Sequence, residues 1–252
     1  MESKIICGDT IEEMSKIESN SIDLILCDLP YGTTQCKWDT IIPFDKLWEQ
    51  YERIIKTNGA IVLTACQPFT SNLVMSNPDL FRYSLVWEKS KSTGYLNSKK
   101  MPMRSHEDIL VFYKKLPTYN PQMTDGEPYD KGKAHRPTDV YREQKGEIHV
   151  KNESGKRFPR SVQYFKTAES EGKVQHPTQK PISLMEWIIK TYTNEGDIVL
   201  DNCIGSGTTA IACIRTNRKY IGIELSEEYV EITNNRINEE LKHNNYDIER
   251  TN

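Results

Sequence analysis

The chain has 252 residues, enough for one large α/β domain or for a core that carries an inserted subdomain. With 37% apolar and 27% charged residues it has a globular composition, and no apolar run approaches the roughly 20 residues of a membrane helix. Its six cysteines are scattered without a CxxC pair, which speaks against a zinc site or a disulfide framework.

The start MESKIICGDT has neither the basic nor the apolar part of a secretory signal, so reduced thiols and a cytoplasmic location are expected, with no membrane partner. The net charge of −3 is unevenly spread. Lys89 to Lys166 holds 17 Lys and Arg against 9 Asp and Glu, a net of +8, which leaves −11 for the remainder. A basic middle in an acidic body suits a polyanion-binding face; on charge alone a solvated, lysine-rich surface fits equally well.

In chain order, Lys4–Cys7 and Ile22–Leu26 are apolar runs of strand length, with a short helix over 10–17 between them. Phe44, Leu47, Trp48, Tyr51, Ile54 and Ile55 make the stripe of an amphipathic helix over 44–56, with Pro43 at its start and Asn58-Gly59 as its stop. Strands are expected over 60–63, 83–87 and 109–113. From Leu116 to Val174 prolines, glycines, tyrosines and charges follow with little periodicity, the texture of a loop-rich insertion. The α/β pattern resumes with a helix over 181–192, a strand over 198–200, a helix over 208–215, a strand over 220–223 and a helix over 227–241. Such alternation predicts a mostly parallel sheet covered on both faces. The expected division is 1–114 and 176–241 as two halves of one core, 115–175 as the insertion, and 242–252 as a polar, frayed tail.

Three motifs carry chemistry. Asp201-Asn202-Cys203-Ile204-Gly205-Ser206-Gly207-Thr208-Thr209 follows a strand and opens a helix, where glycines let a ligand approach the backbone. The next strand ends at Glu224, the place of a ribose-hydroxyl acceptor in nucleoside-binding α/β folds. No Lys follows the glycines, so this is not a Walker loop, and G-x-G-x-x-G spacing is absent. Asp28-Leu29-Pro30-Tyr31-Gly32 also follows a strand and offers a carboxylate, a carbonyl and a flat ring on a turn stiffened by proline. His176-Pro177-Thr178-Gln179-Lys180-Pro181 precedes a helix and on physical grounds alone is a plain helix start.

In this order the three motifs resemble those of the β-arranged amino-directed DNA methyltransferases. That family carries D-P-P-Y, a variable target-recognition region, H-P-T-Q-K-P and D-P-F-x-G-S-G-T-T. The resemblance covers roughly Met1 to Glu240, and the hexapeptide matches letter for letter. D-L-P-Y-G variants recur in phage and prophage members. The resemblance implies an S-adenosylmethionine-dependent methyltransferase fold with permuted motif order, an α/β doubly wound sheet with a target-recognition insertion. It implies a cofactor site of Asp201, Gly205, Ser206, Gly207, Thr208 and Glu224. Thr178 to Lys180 would close over the cofactor's methionine end and Asp9 would contact its adenine. The stretch Arg104 to Phe112 resembles a strand and loop bordering the target base. Leu29 for Pro keeps the needed carbonyl; Asn202-Cys203 for Pro-Phe removes an aromatic near the cofactor.

The implied reaction is site-specific methylation of adenine N6 in double-stranded DNA. Asp28 and the Leu29 carbonyl would accept the amino hydrogens and localise the lone pair, Pro30 would hold the turn, and Tyr31 would stack on the flipped base. No metal and no cysteine nucleophile is required, and Cys27 reads as a buried strand residue. The family includes homodimers and members paired with a restriction endonuclease, so both are open as partners. Asp28 in place of Ser favours adenine over N4 of cytosine. An RNA substrate, or a relative that binds DNA without catalysis, would share the same fold. Tyr119, Tyr129, Tyr141 and Tyr164 are candidates for stacking or packing, while His135, His149 and His176 read as surface or packing residues.

Overall fold

Apolar residues alternate between two faces along each central strand, and that alternation builds the molecule. In this computed structural model, residues 2–32, 40–134, 148–172, 174 and 179–251 are described. The elements are β1 (Lys4–Cys7), α1 (Thr10–Ser15), β2 (Ile22–Asp28), α2 (Phe44–Ile54), β3 (Ile55–Ala65), α3 (Phe69–Ser76), β4 (Phe81–Thr93) and β5 (Arg104–Phe112). They continue with β6 (Tyr129–Ala134), β7 (Ile148–Asn152), β8 (Val162–Phe165), α4 (Ile182–Tyr192), β9 (Ile198–Asp201), α5 (Thr208–Arg215), β10 (Lys219–Glu224) and α6 (Glu227–Thr251).

Among the described residues, eight strands form one sheet in the order β1-β10-β9-β2-β3-β5-β4-β8. The first five are mutually parallel, β5 is antiparallel to both neighbours, and β8 runs parallel to β4. Ile25 and Cys27 of β2, Ile61 and Leu63 of β3, and Leu110 and Phe112 of β5 pack against Met14, Trp48, Tyr51 and Phe69 of α1 to α3. Leu24, Leu26, Ala60, Val62, Ile109 and Val111 face the other way, against Leu184, Ile188, Ile211 and Ile237 of α4 to α6. A period of two along strands buried on both sides is what produces two cores on one sheet. The doubly wound α/β architecture is therefore the expected one.

Several local expectations change. Asn58-Gly59 does not stop α2; the helix passes directly into β3, with Ile55 already extended at φ −69° and ψ 135°. Gly59 serves the sheet instead, since a Cβ there would stand 2.8 Å from the Asp23 carbonyl oxygen. The expected strands lengthen to β3, β4 and β5, and α3 is an additional helix. The insertion is shorter than 115–175. Met1–Asn120 with Ser161–Asn252 forms one compact unit, and Pro121–Arg160 forms a second. The cause is β8, which adds Val162 to Phe165 to the sheet edge beside β4. Within the second unit, β6 and β7 pair antiparallel and Thr124 bridges Arg157. The backbone of α6 is helical to Thr251, through the segment expected to fray. Among the described residues no helix is long and apolar enough to cross a membrane.

Candidate active site

Four neighbouring parallel strands, β1, β10, β9 and β2, deliver a carboxylate at or just beyond their carboxyl ends: Asp9, Glu224, Asp201 and Asp28. Cys7 pairs with Glu224, Gly222 with Asp201 and Leu24 with Val199, so the four ends lie along one edge. The chain winds one way from β2 to β3 and the other way from β9 to β10. The gap between β2 and β9 is thus the topological switch point, where open α/β sheets bind ligands. At roughly 4.8 Å per strand, Asp28 and Glu224 are separated by about 10 Å of edge.

The loop after β9 is held from several sides. Asp201 is buried and accepts from the Thr209 hydroxyl at 2.6 Å and the Cys203 N–H at 3.1 Å. Burial pushes its carboxyl up to about 6, against the lowering effect of those two donors. Asn202 accepts from the Tyr51 hydroxyl at 2.6 Å and donates to Thr10 Oγ1 at 2.9 Å, which ties the loop to α2 and α1. Gly207 takes φ +86°, and a Cβ there would meet Thr233 of α6 at 2.7 Å. Thr233 donates to the Gly205 carbonyl, and Arg236 donates to the Ser206 carbonyl. Glu224 accepts from the Gly205 N–H through one oxygen and from the Ser226 N–H through the other, both at 2.9 Å. Asp9 caps α1 by accepting from the Ile11 and Glu12 N–H groups.

Around Asp28 a denser cluster forms. Its Oδ1 accepts from the Tyr31 hydroxyl at 2.6 Å and from Thr64 Oγ1 of β3 at 2.5 Å. Its Oδ2 accepts from Lys180 Nζ at 2.5 Å. Lys180 is buried and also lies 3.4 Å from Glu107 Oε2, while Lys89 pairs with Glu107 Oε1 at 3.2 Å. Glu107 Oε2 is buried and makes no hydrogen bond. Burial works against the Lys180 ammonium, but the charges of Asp28 and Glu107 outweigh it and hold its pKa above the ordinary value. Burial likewise works against the Glu107 carboxylate, and Lys180 and Lys89 outweigh it, so this acid sits below its usual range. Burial, then the charges of Asp28 and Glu107, push the Tyr31 phenol well up, which keeps it a hydrogen-bond donor. The Tyr31 ring stacks on Phe69 at 5.0 Å between centroids, and Lys180 Nζ is 5.8 Å from its centroid.

The family model for DNA methylase matches residues 22–235. The chain belongs to the DNA methylase family. It is 30% identical to the type II methyltransferase M.HpaI of Haemophilus parainfluenzae, covering 96% of this chain and 76% of that protein. It is 31% identical to the DNA adenine methyltransferase YhdJ of Escherichia coli K12, covering 90% and 80%. Among solved structures, the M1.HpyAVI–SAM complex superposes at a TM-score of 0.61 with 21% identity, covering 93% of this chain and 98% of that one. The cytosine-N4-specific PvuII DNA methyltransferase superposes at 0.65 with 17% identity, covering 92% and 85%. These two likenesses establish the fold, an α/β methyltransferase fold.

Asp28, Leu29, Pro30 and Tyr31 stand together at the end of β2, with Leu29 turned into the core. Gly205, Ser206, Gly207, Thr208, Asp201, Glu224 and Asp9 share the adjoining edge; Thr178, with His176, lies outside the described residues. Lys180 lies on the Asp28 carboxylate, because Asp28 and Glu107 offer a buried ammonium two anions, whereas its neighbour Gln179 accepts from Ser206 Oγ at 3.2 Å. Thr64 and Lys89 were missed, and Glu107 was expected only as part of the stretch Arg104 to Phe112, without a role of its own. The signal for Glu107 was present: Glu107-Asp108 stands directly before the wholly buried run Ile109 to Phe112. Glu171 was missed too, although it accepts from the Ile182 and Ser183 N–H groups and caps α4 from a distance. Cys27 is buried, and burial raises its thiol well above the ordinary value, as suits a core residue. Tyr119 packs on Tyr192 with centroids 6.4 Å apart, Tyr129 lies under Arg157 and Lys131, and Tyr164 is exposed; Tyr141 and His135 are outside the described residues.

Proposed function

We propose that this chain transfers a methyl group from S-adenosylmethionine to the N6 amino group of adenine in double-stranded DNA, acting on a base flipped out of the helix. The observation that carries the reading is the Lys180 ammonium seated on Asp28 Oδ2. A positively charged nitrogen on the catalytic carboxylate is the counterpart of the charge that develops on an amino nitrogen during methylation. The relatives support the choice of base, since one of them is named as a DNA adenine methyltransferase.

The residues present suit the cofactor. Gly207, at φ +86° and packed on Thr233, lets the loop after β9 turn into α5, and Glu224 accepts two N–H bonds yet has lone pairs left for ribose hydroxyls. Asp9, just beyond the end of β1, suits a neighbouring amino group. When bound, S-adenosylmethionine supplies the electrophilic methyl group that the amino nitrogen takes.

The protein's part is positioning and electrostatics. Tyr31 and Thr64 fix Asp28 through Oδ1, which leaves Oδ2 as the oxygen that meets the substrate amine. Lys180 must then leave Oδ2, and Glu107 Oε2, already 3.4 Å from the ammonium and without a hydrogen bond, is the acceptor it moves toward. Asp28 and the Leu29 carbonyl hold the amino hydrogens and turn the nitrogen lone pair toward the methyl group. Phe69 covers one side of the Tyr31 ring, so the ring is backed as a platform for the base. Parallel incubation of methyl-labelled cofactor with duplex DNA and with RNA, followed by nucleoside analysis, tests this. Label in N6-methyl-2′-deoxyadenosine is expected; label in N4-methyl-2′-deoxycytidine, or in RNA alone, would overturn the choice of substrate.

A further inference from the structure

The hairpin between β4 and β5 ends in a firmly built tip whose apolar side chains face solvent. Leu96 is 96% exposed, Tyr95 75% and Met101 59%. The tip is held by its own backbone: Asn97 N–H bonds the Gly94 carbonyl at 3.0 Å, Ser98 that of Tyr95 at 3.0 Å, and Lys100 that of Asn97 at 2.8 Å. Gly94 opens the turn at φ +91°, and Ser92 and Ser105 close its base by a hydroxyl bond of 2.7 Å. Exposing these side chains is thus a property of a defined turn. The cost of leaving them in water points to a partner.

The hairpin also stands where the substrate must arrive. Asp28 pairs with Thr64 across β2 and β3, and the next residue of β3, Ala65, pairs with Asp108 of β5. From Asp108 to Arg104 the hairpin runs on past this edge, at roughly 3.3 Å per residue about 13 Å. Lys91, Lys99, Lys100 and Arg104 flank the tip, and no acidic residue occurs between Lys89 and His106. Cations around an apolar point fit a polyanion with a stacked apolar interior, which describes duplex DNA.

We propose that the tip, led by Leu96 with Tyr95 beside it, enters the duplex next to the target base pair and fills the space left by the extruded base, while the flanking cations hold phosphates. Apolar wedges that part base steps are a general device of DNA-bending proteins, and a flipped base leaves a gap that costs stacking energy. The inference rests on the reading of the chain as acting on duplex DNA.

The test compares the parent protein with the Tyr95→Ser/Leu96→Ser double variant. The methylated site is first mapped by sequencing DNA from an expressing, methylation-deficient host. Single-turnover methylation is then measured on a matched duplex and on one with an abasic nucleotide opposite the target. The variant is expected to lose at least tenfold on the matched duplex and to come within about threefold of the parent on the abasic one, where the target base is already loosened. The proposal is overturned by an equal loss on both duplexes, which marks a plain docking contact, or by no loss on either. It is also overturned if the variant methylates normally but loses sedimentation with phosphatidylglycerol vesicles that the parent shows, which marks a lipid surface. A parent that methylates neither duplex defeats the underlying reading, and the wedge with it.

Discussion

Lys180 and Asp28, 152 positions apart in the chain, meet through a 2.5 Å bond from the ammonium to Oδ2. The last residue of β2 and the segment leading into α4 thereby become one site. Since Tyr31 and Thr64 occupy Oδ1, both carboxylate oxygens are engaged before substrate arrives. Asp28 is held by three donors, Tyr31, Thr64 and Lys180, and on the proposed function one of them yields to the substrate.

Asp28→Ala removes the acceptor for the amine and leaves Lys180 to Glu107. The ammonium keeps one carboxylate, so the fold survives. Turnover should fall by at least about 100-fold, the scale seen when one preorganised electrostatic partner is lost. Cofactor affinity, measured by calorimetry, should change by less than about threefold. Near-parental turnover would exclude Asp28 from the chemistry.

Tyr31 separates two uses of one side chain. The family resemblance implies a ring that stacks on the flipped base. The hydroxyl in fact donates to Asp28, and hydrogen bonds to charged groups contribute about 1.5–3 kcal/mol. Tyr31→Phe should therefore lower kcat by roughly tenfold, because 1.4 kcal/mol is a factor of ten. Fluorescence of 2-aminopurine at the target position should be retained, since the ring still backs the flipped base. Tyr31→Ala should lose both. Full activity in Tyr31→Phe would mean that Thr64 alone suffices to hold Asp28.

The framework of this site was legible in the sequence because it follows from strand ends. Apolar runs placed β2, β9 and β10, and the residues just past them fell on one edge of a parallel sheet. What stayed hidden depends on tertiary contact. Thr64 looked like one more residue of a buried strand, yet the register of β2 against β3 sets it beside Asp28. Lys180 looked like part of a helix start, because nothing local reveals that its side chain reaches back to two carboxylates. α3 escaped notice because Phe-Thr-Ser-Asn-Leu-Val-Met-Ser has few strong helix formers and no side-chain cap; packing of Phe69 and Leu73 into the core supplies its stability.

Asp201 provides a stability test with a defined sign. Its folded-state carboxyl titrates near 6, above the 3.8 of an ordinary aspartate, because of burial. A raised folded pKa means that the native state holds its proton longer than the unfolded chain. Its contribution to stability is therefore greatest below pH 3.8 and is lost as pH rises through 6. The loss is on the order of 3 kcal/mol from a shift of about two units. Asp201→Asn keeps a carbonyl for the Cys203 N–H and an amide for Thr209, and it removes this titration. Denaturant unfolding at pH 4.5 and pH 7 should show the parent gaining less stability over that interval than Asp201→Asn does. Parallel pH profiles would mean that the carboxyl titrates as in the unfolded chain.

Phosphate contacts should appear as salt dependence. Binding to duplex DNA is expected to weaken with a log–log slope of roughly −0.9 per neutralised phosphate. Lys99→Ala/Lys100→Ala should shallow that slope by about 2 and weaken all sequences alike. Fluorescence anisotropy across a salt series measures it. A slope unchanged in the double variant would place these two lysines off the DNA.

Glu107→Gln tests whether Lys180 must move. The ammonium now bridges Asp28 Oδ2 and a Glu107 oxygen that has no hydrogen bond of its own, with Lys89 holding the other Glu107 oxygen. In the parent, the pull of Glu107 lets Lys180 withdraw when the substrate amine competes for Oδ2. Glutamine keeps the shape and removes the charge, so Lys180 stays on Asp28 and competes with substrate. The expected result is a fall of about tenfold or more in kcat/KM for DNA, with cofactor affinity unchanged. One lost charge-assisted contact of about 1.5–3 kcal/mol is enough for that. A purely structural role for Glu107 would give the same loss by loosening β5, so a second variant is needed. In Glu107→Gln/Lys180→Met the competing ammonium is gone and Asp28 remains fixed by Tyr31 and Thr64. Activity should then recover relative to Glu107→Gln alone, a coupling that a double-mutant cycle resolves. If the double variant is as slow as, or slower than, Glu107→Gln, Lys180 is a fixed support of Asp28 rather than a group that yields to the substrate.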